Sequence, residues 1–309
     1  MLAAVDVRWL PCDNPQVPPV LRVLLAGALF ATGGSLIKLC ELPSLQRAGA
    51  RALLAAFVIF ALLPQARRWP NARILLLVPA YFGATCLFVV ANTLTTAVNA
   101  IFLQSTAPLW IVLLGPLLLR ERTTRSDLVV LLGVGIGMTL FFFAPEPVAK
   151  TAPEPRLGDW IAIASGVSYA LLLIGMRWLS RAGRGEECAA VAWGNLLTFP
   201  IAFAFMPVVG QSIAPGTSTD WVVIAVLGVF QVGLAYTLLV RGIAHVPAVR
   251  VSLLMMIEPA LSSLIAWGVH DEVPHPIAAT GGVVIVGTVL VSALLVRESQ
   301  RLTTRDRQP

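Results

Sequence analysis

The sequence predicts an all-α membrane protein of ten transmembrane helices arranged as two inverted five-helix repeats. Three observations support this prediction: an apolar composition, a stretch of sequence that occurs twice, and basic residues concentrated on one side of the predicted spans. Of the 309 residues, 57% are apolar and only 12% are charged, whereas a soluble protein carries about 25% charged residues. Most of the exterior must therefore face lipid, and the chain is best counted in spans of roughly 20 residues.

One stretch of sequence occurs twice and organises the rest of the chain. The copies are 97–121 and 248–272, and each begins with alanine, ends with glutamate and has a proline at the same position, Pro108 or Pro259. A glycine-rich apolar segment follows each copy. Self-similarity at a long period indicates a duplicated fold unit. In a membrane protein it is typical of a transporter built from two repeats.

Continuous apolar runs predict ten spans. Helices fit these runs because a β-barrel would show ten-residue segments of alternating polarity instead. The predicted spans are 20–37, 49–64, 74–94, 98–119, 127–144, 159–179, 187–207, 220–240, 249–269 and 276–296. A proline-rich segment separates them into two sets of five, and the odd number inverts the second set relative to the first.

The basic residues predict the orientation of the chain. Most of the 22 lysines and arginines lie on one side of the predicted spans, and the other side holds only Lys38, Arg47, Arg51, Lys150 and Arg156. Because basic loops remain in the cytoplasm, both termini are predicted to be cytoplasmic in a multi-pass protein of the inner (plasma) membrane. This topology explains the net charge of +6, so no nucleic-acid partner is predicted.

The predicted organisation has five parts. They are a cytoplasmic tail (1–19), a first repeat (20–144), an extracytoplasmic linker (145–157), a second repeat (158–296) and a second cytoplasmic tail (297–309). The four cysteines form no CxxC pair and no Cys/His metal spacing, so neither a metal nor another cofactor is predicted. The chain contains no GxxxxGK[ST] motif, so ATP is not predicted as a direct energy source.

Several motifs together resemble a known family. Spans four and nine share the pattern A-x10-P-x12-E. Further motifs are Arg51 in span two, Gly158–Asp159–Trp160 and Ser168–Tyr169–Ala170 in span six, and Ile257–Glu258–Pro259 in span nine. Over about residues 20–296 the chain resembles the drug/metabolite transporter superfamily, and within it the EamA-type ten-helix transporters. This resemblance implies a proton-coupled or facilitated carrier of small organic metabolites, often an exporter of amino acids or related compounds.

Glu258 is the strongest candidate for a functional residue. An acid near the middle of a span costs about 2.5–3.5 kcal/mol on insertion scales, and intramembrane acids are usually functional. It shares a helical face with Met255 and Ser262, and Pro259 beside it predicts a kink. The functional interpretation is a cavity-lining group that holds a cationic part of the substrate or exchanges a proton. The structural alternative is a carboxyl group hydrogen-bonded between helices.

Polar and aromatic residues in five other spans predict the walls of a substrate cavity. Placing a polar group against lipid costs free energy, so most of these side chains should point inward. Ligand sites combine apolar and aromatic walls with a few placed polar groups. For any single member, hydrogen bonding between helices is the alternative. Besides Glu258, the predicted substrate-binding residues are Tyr81, Asn99, Gln104, Ser168, Tyr169, Trp193, Asn195, Gln231 and Tyr236.

Three charged residues near span ends join Glu258 as candidates for coupling or gating. Arg51, at the outer end of span two, has three interpretations: it attracts a carboxylate, pairs with an acid in the outer gate, or snorkels to the headgroups. Glu121 and Glu272 end the two copies of the repeated stretch. They are interpreted as surface carboxylates near local arginines, with a gate latch as the alternative.

These predictions favour a secondary transporter that works by alternating access, with two inverted halves rocking around a central cavity. The predicted activity is export of small organic metabolites, amino acids or related amphipathic solutes. The alternatives are an uptake carrier for a vitamin or nucleoside-like metabolite and a membrane-embedded enzyme of lipid metabolism. The predicted partners are the substrate and the lipid bilayer, with protons as candidate coupling ions. Monomer and homodimer are both open.

Overall fold

The computed structural model describes residues 17–95, 97–120, 125–142 and 153–270, together with isolated positions between 276 and 291. All regular structure in these ranges is helical. The described ranges leave out most of the first predicted tail, most of the linker, much of the tenth span and the second tail.

Short helices in these ranges join end to end into longer rods. The α-helices are α1 (Pro19–Ala31), α2 (Gly33–Lys38), α3 (Ser44–Leu62), α4 (Ala72–Leu76), α5 (Val78–Phe82), α6 (Phe88–Leu94), α7 (Ala97–Gln104), α8 (Ala107–Leu118), α9 (Arg125–Phe142), α10 (Pro155–Ser180), α11 (Glu186–Phe205), α12 (Ser218–Val226), α13 (Ala235–Ile243), α14 (Ala248–Met255) and α15 (Ile257–His270). Two stretches inside the rods are π-helical: Gly83–Leu87 between α5 and α6, and Leu227–Leu234 between α12 and α13.

Seven stretches of the described chain are long and apolar enough to cross a membrane. They are Pro19–Lys38, Ser44–Leu62, Ala72–Leu94, Ala100–Leu118, Pro155–Ser180, Glu186–Phe205 and Ser218–Ile243. Each overlaps one predicted span, namely spans one to four and six to eight. The fifth predicted span overlaps α9, and the ninth overlaps α14 and α15.

The outer surface of the bundle is apolar. On α8, Leu109, Leu113 and Leu117 are 52%, 63% and 77% exposed, and their spacing of four residues places them in one stripe. On α9, Val129 and Leu132 are also more than half exposed. Such surfaces suit a lipid solvent, and the helices satisfy their own backbone hydrogen bonds as a bilayer requires.

The second span begins earlier than predicted. α3 starts at Ser44, so Arg47 and Arg51 lie inside the helix, and their side chains are only 8% and 4% exposed. The prediction began the span later because arginine normally marks a membrane boundary. Arg47 is tolerated inside because its Nη1 donates to the carbonyl oxygens of Ile37 (2.7 Å) and Cys40 (3.0 Å). These oxygens lie at the C-terminal end of α2, where a cation is favoured.

Both copies of the repeated stretch are interrupted at the same place. α7 and α14 are each eight residues long and end at Gln104 and Met255. The following helix in each copy carries its proline, Pro108 or Pro259, in its first turn, where the missing N–H of proline costs nothing. The kink predicted beside Glu258 is therefore present as a break in the helix.

The two parts of the bundle pack on each other reciprocally. α1, from the first part of the chain, packs against α13, α14 and α15 from the second. α10, from the second part, packs against α6, α7 and α8 from the first. α3 and α11 pack directly against each other. The broken helices also pack on each other, α7 against α15 and α8 against α14.

Candidate functional site

A small cavity lies at the centre of the bundle, between helices from both parts of the chain. Its wall includes Arg51 on α3, Gln104 on α7, Tyr169 on α10, Tyr236 on α13 and Glu258 on α15. The cavity has a volume of about 40 Å³. A second void of about 10 Å³ shares three of these residues. Spaces of this size hold one or a few water molecules and are too small for an organic metabolite.

Arg51 points into this cavity. Its Nη1 donates to Oε1 of Gln231 and its Nη2 to the carbonyl oxygen of Thr85, both at 3.3 Å. Both acceptors are neutral, and none of the described carboxylates is close enough to form an ion pair with the guanidinium. Of the three interpretations of Arg51, snorkelling to the headgroups does not fit this position, because backbone and amide oxygens inside the bundle hold the side chain there.

The π-helical turn Gly83–Leu87 supplies backbone acceptors to the site. The carbonyl oxygen of Ala84 accepts hydrogen bonds from Nε2 of Gln104 (2.9 Å) and Oγ of Ser165 (3.1 Å). The next carbonyl along the chain accepts the guanidinium bond described above. A π-helical turn departs from the regular α-helical bonding pattern and is often found at functional sites. Here it fixes polar side chains from α3, α7 and α10 around one point.

Aromatic rings form one side of the cavity. Tyr236 packs edge-on against Phe30, with ring centroids 5.0 Å apart, and tilted against Tyr81 at 5.2 Å. The hydroxyl group of Tyr169, which lines the cavity, is buried and has no hydrogen-bond partner among the described residues. A buried hydroxyl without a partner costs about 1–3 kcal/mol. A substrate or water that bonds to this group would recover that energy.

Glu258 borders both voids. It lies in the first turn of α15, where the positive end of the helix dipole stabilises a carboxylate by about 0.3–1 kcal/mol. Met255 and Met256 lie beside it in the wall of the smaller void. Within the described part of the chain, no side chain or backbone group forms a hydrogen bond or ion pair with its carboxylate. The structural alternative, a carboxyl group tied between helices, therefore has no support among these residues.

Four predicted binding residues with described side chains do not line the cavity: Tyr81, Ser168, Trp193 and Asn195. Tyr81 packs against the wall residue Tyr236. Ser168 donates to a carbonyl oxygen of its own helix at 2.8 Å. Trp193 donates its indole N–H to the carbonyl oxygen of Arg68 at 2.9 Å, near one end of α3. Asn195 is fully buried and donates to its own helix at 3.0 Å, while its Oδ1 has no partner among the described residues. The six predicted residues that line the cavity with described side chains are Arg51, Gln104, Tyr169, Gln231, Tyr236 and Glu258.

Some predicted residues fall outside what the structure describes, and some lining residues were not predicted. Glu121, Glu272 and the side chain of Asn99 lie outside the described residues. Phe30 and Phe88 line the cavity but stand in continuous apolar runs, where no pattern separates them from lipid-facing neighbours. In addition, nothing in the sequence indicates that backbone carbonyl groups take part in the site.

Hydrogen bonds join the two parts of the chain at the N-terminal end of α3. The side chain of Gln46 donates to the carbonyl oxygen of Ala214 at 2.7 Å and accepts from its N–H at 2.9 Å. The carboxylate of Asp220 accepts from the backbone N–H of Glu41 at 2.8 Å. We call these four residues the outer latch, following the predicted orientation.

A second set of bonds joins the two parts of the chain at the opposite end of α3. Nδ2 of Asn71 donates to Oε1 of Glu186 at 2.9 Å, and Arg68 donates to the carbonyl oxygen of Arg184. Glu186 is only 1% exposed, so this contact is desolvated. We call these four residues the inner latch. The cavity lies between the two latches.

Replacing Gln46 with alanine is expected to loosen the outer latch and expose Cys40, which is only 3% exposed. Burial raises the pKa of the Cys40 thiol, and a protonated thiol reacts slowly. Losing two hydrogen bonds worth about 0.5–1.5 kcal/mol each should increase labelling by a membrane-impermeant maleimide about tenfold. Mass spectrometry of the Cys40 peptide measures this rate. The control is Gln65→Ala at an exposed glutamine, and equal labelling of both variants would contradict the latch.

Comparison with known proteins identifies the family. The family model described as "EamA-like transporter family" matches residues 18–143 and again residues 156–294. The chain belongs to the EamA-like transporter family. It is therefore a multi-pass membrane transporter rather than an enzyme, which confirms the resemblance found in the sequence.

Similar proteins cover nearly the whole of this EamA-family transporter. The pseudopaline exporter CntI of Pseudomonas aeruginosa (strain UCBPP-PA14) is 26% identical over 86% of this chain and 93% of its own. The uncharacterized transporter YetK of Bacillus subtilis (strain 168) is 26% identical over 94% of each chain. A solved crystal structure of a protein matches 91% of this chain and 98% of its own with a TM-score of 0.75 and 21% identity. That structural likeness shows a shared fold.

Proposed function

We propose that this EamA-family transporter exports small organic metabolites, amino acids or related amphipathic solutes, across the inner membrane by alternating access. The observation that carries the proposal is the central cavity, which is lined by charged, amide and aromatic side chains and lies between two latches. Ligand sites have this mixture of apolar walls and few polar groups. The direction is supported by the relative named as an exporter.

The reciprocal packing supports ten spans in two inverted repeats, 20–144 and 158–296. α1 packs on α13, α14 and α15 as α10 packs on α6, α7 and α8, and α3 packs on α11. A two-fold axis in the membrane plane would relate these pairs of helices. The matching breaks in α7–α8 and α14–α15 support the same axis. Discontinuous helices at a repeat interface are typical of substrate sites in transporters.

The two latches support an alternating mechanism. Each latch joins one part of the chain to the other, and the latches lie at opposite ends of α3. A cavity of about 40 Å³ admits a metabolite only after the two parts separate. Rocking them about the centre opens one latch while the other stays closed, which carries solute without an open channel. Glu258 then meets the substrate or a proton from each side in turn.

Counterflow in proteoliposomes tests this function. The purified protein is reconstituted with an internal pool of unlabelled amino acids, nucleosides, vitamins or organic cations, and uptake of each labelled compound is followed with and without a pH gradient. Saturable exchange of amino acids is expected, with protein-free liposomes as the control. Exchange confined to another class would replace the proposed substrates. The absence of saturable exchange by folded protein across the whole panel would contradict a carrier of these metabolites.

A further inference from the structure

The central cavity brings together an arginine and a glutamate that do not bond to each other. Arg51 donates only to the neutral oxygen atoms of Gln231 and Thr85, each at 3.3 Å. Glu258 forms no hydrogen bond or ion pair with any described residue. Both side chains line the same small void. A guanidinium and a carboxyl group therefore face one space, each without an ion-pair partner in the described part of the chain.

Leaving the two groups unpaired is costly inside a membrane protein. A charge removed from water is retained only when another group compensates it, and intramembrane charged residues usually pair with one another or serve function. Arg51 and Glu258 lie on different helices. Arg51 is held by its place in α3 and by the bonds of its guanidinium, and Glu258 by its place in the first turn of α15. The same folded arrangement thus keeps both charges available to a third partner.

We propose that Arg51 and Glu258 bind the opposite ends of one zwitterionic substrate, Arg51 its carboxylate and Glu258 its ammonium group. The planar guanidinium suits a carboxylate because two of its N–H groups can bond both oxygen atoms. This proposal rests on the proposed transport function, because a substrate would reach the two residues only when one of the two latches opens. It makes Arg51 a substrate-binding residue that determines specificity, rather than a gate or a headgroup anchor.

The remaining wall fits the rest of such a molecule. Phe30 and Tyr236 offer aromatic surface to an apolar side chain, with ring centroids 5.0 Å apart. The hydroxyl of Tyr169, which has no partner among the described residues, is available for a substrate hydrogen bond. A solute with only one charge would leave Arg51 or Glu258 uncompensated, so the site should reject it relative to the zwitterion.

Three chemical forms of each common amino acid test whether the site requires both charges: the free amino acid, its amide and its N-acetyl derivative. The amide removes the negative charge and keeps the ammonium group, whereas the N-acetyl derivative does the opposite. Counterflow of all three forms is measured with the full-length protein in proteoliposomes. We expect at least one free amino acid to exchange, and its two derivatives to exchange at least about tenfold more slowly, as loss of a charged hydrogen bond predicts.

Two variants then separate the two ends of the site. Arg51→Gln should lose discrimination against the amide while still rejecting the N-acetyl derivative. Glu258→Gln should lose discrimination against the N-acetyl derivative while still rejecting the amide. Arg51→Lys, which keeps the charge, should retain part of the wild-type preference. Arg47→Gln removes a second buried arginine one turn away in the same helix, and it should change all three rates by the same factor.

Each outcome decides a different point. Equal or faster exchange of a derivative by the wild-type protein would overturn the zwitterion proposal and leave the transport function standing. If Arg51→Gln slowed the exchange of all three forms by the same factor, as Arg47→Gln should, Arg51 would have a structural role. Its assignment as the carboxylate-binding group would then be overturned. If the wild-type protein exchanged none of the three forms but exchanged a nucleoside or vitamin, the zwitterion proposal would fail and transport would stand. No exchange of any solute would count against both.

Discussion

Replacing Glu258 with glutamine is expected to slow counterflow about 10- to 100-fold while the protein remains folded. Glutamine has nearly the same size, but it carries no negative charge and releases no proton at accessible pH. A hydrogen bond to a charged group contributes about 1.5–3 kcal/mol, and each 1.4 kcal/mol is a factor of ten. The native carboxylate has no partner among the described residues, so the substitution breaks no contact that holds those helices together.

Counterflow and pH-driven uptake by the Glu258→Gln variant distinguish the two roles considered for this residue. If exchange persists but no longer responds to a pH gradient, Glu258 exchanges the coupling proton. If exchange itself is lost, Glu258 holds the cationic part of the substrate. Glu154→Gln is the matched control, because Glu154 is an exposed acid just before α10 and should behave as wild type. Transport kinetics and pH dependence identical to wild type would remove Glu258 from the mechanism.

Replacing Gly166 with alanine is expected to reduce both stability and transport. A Cβ atom at this position of α10 would lie 2.9 Å from the carbonyl oxygen of Leu103 and 3.0 Å from that of Gln104. Both oxygens belong to the last turn of α7 at its break, so the helix backbone would have to move. Overpacking of this kind costs about 1–3 kcal/mol. Displacing Gln104 would also disturb the cavity wall and slow transport, by about tenfold for a loss of 1.4 kcal/mol.

Gly135→Ala is the matched control for this substitution. Gly135 also lies within a helix, α9, and an added Cβ would meet nothing within 4 Å. Thermal unfolding of the purified variants and counterflow by the same preparations measure the two effects. The Gly166 variant should unfold at a lower temperature and transport more slowly than the Gly135 variant. Similar unfolding and transport for the two would show that α10 can move away from α7 without cost.

The sequence predicted the positions of the seven long apolar helices of the described chain, because hydrophobic length depends mainly on the bilayer. Glu258 is a candidate from the sequence alone, since an acid inside an apolar run is easy to recognise. The start of α3 was placed too late because Arg47 looks like a boundary residue. The burial of Arg47 depends on the carbonyl oxygens at the end of α2, and that of Arg51 on oxygen atoms of Thr85 and Gln231. Such acceptors leave no local pattern in the sequence.

The candidate site was predicted only in part for a related reason. Polar residues in spans identify side chains that avoid lipid, but they do not say which side chains share one cavity. Trp193 and Gln231 have equally strong signals in the sequence, yet Trp193 bonds the Arg68 carbonyl while Gln231 bonds the buried guanidinium. That difference is set by how far around each helix the residue lies, which depends on the π-helical turns and on tertiary packing.

The π-helical turn Gly83–Leu87 holds one residue more than a regular helix would need to keep α5 and α6 in their present relative orientation. If the same residues formed a regular α-helix, one side of the turn would rotate by about 100° relative to the other, given 3.6 residues per turn. Tyr81 would lose its contact with Tyr236, and the Ala84 carbonyl would turn away from Gln104. A substitution that favours the regular helix here should therefore be more damaging than its change in size or polarity suggests.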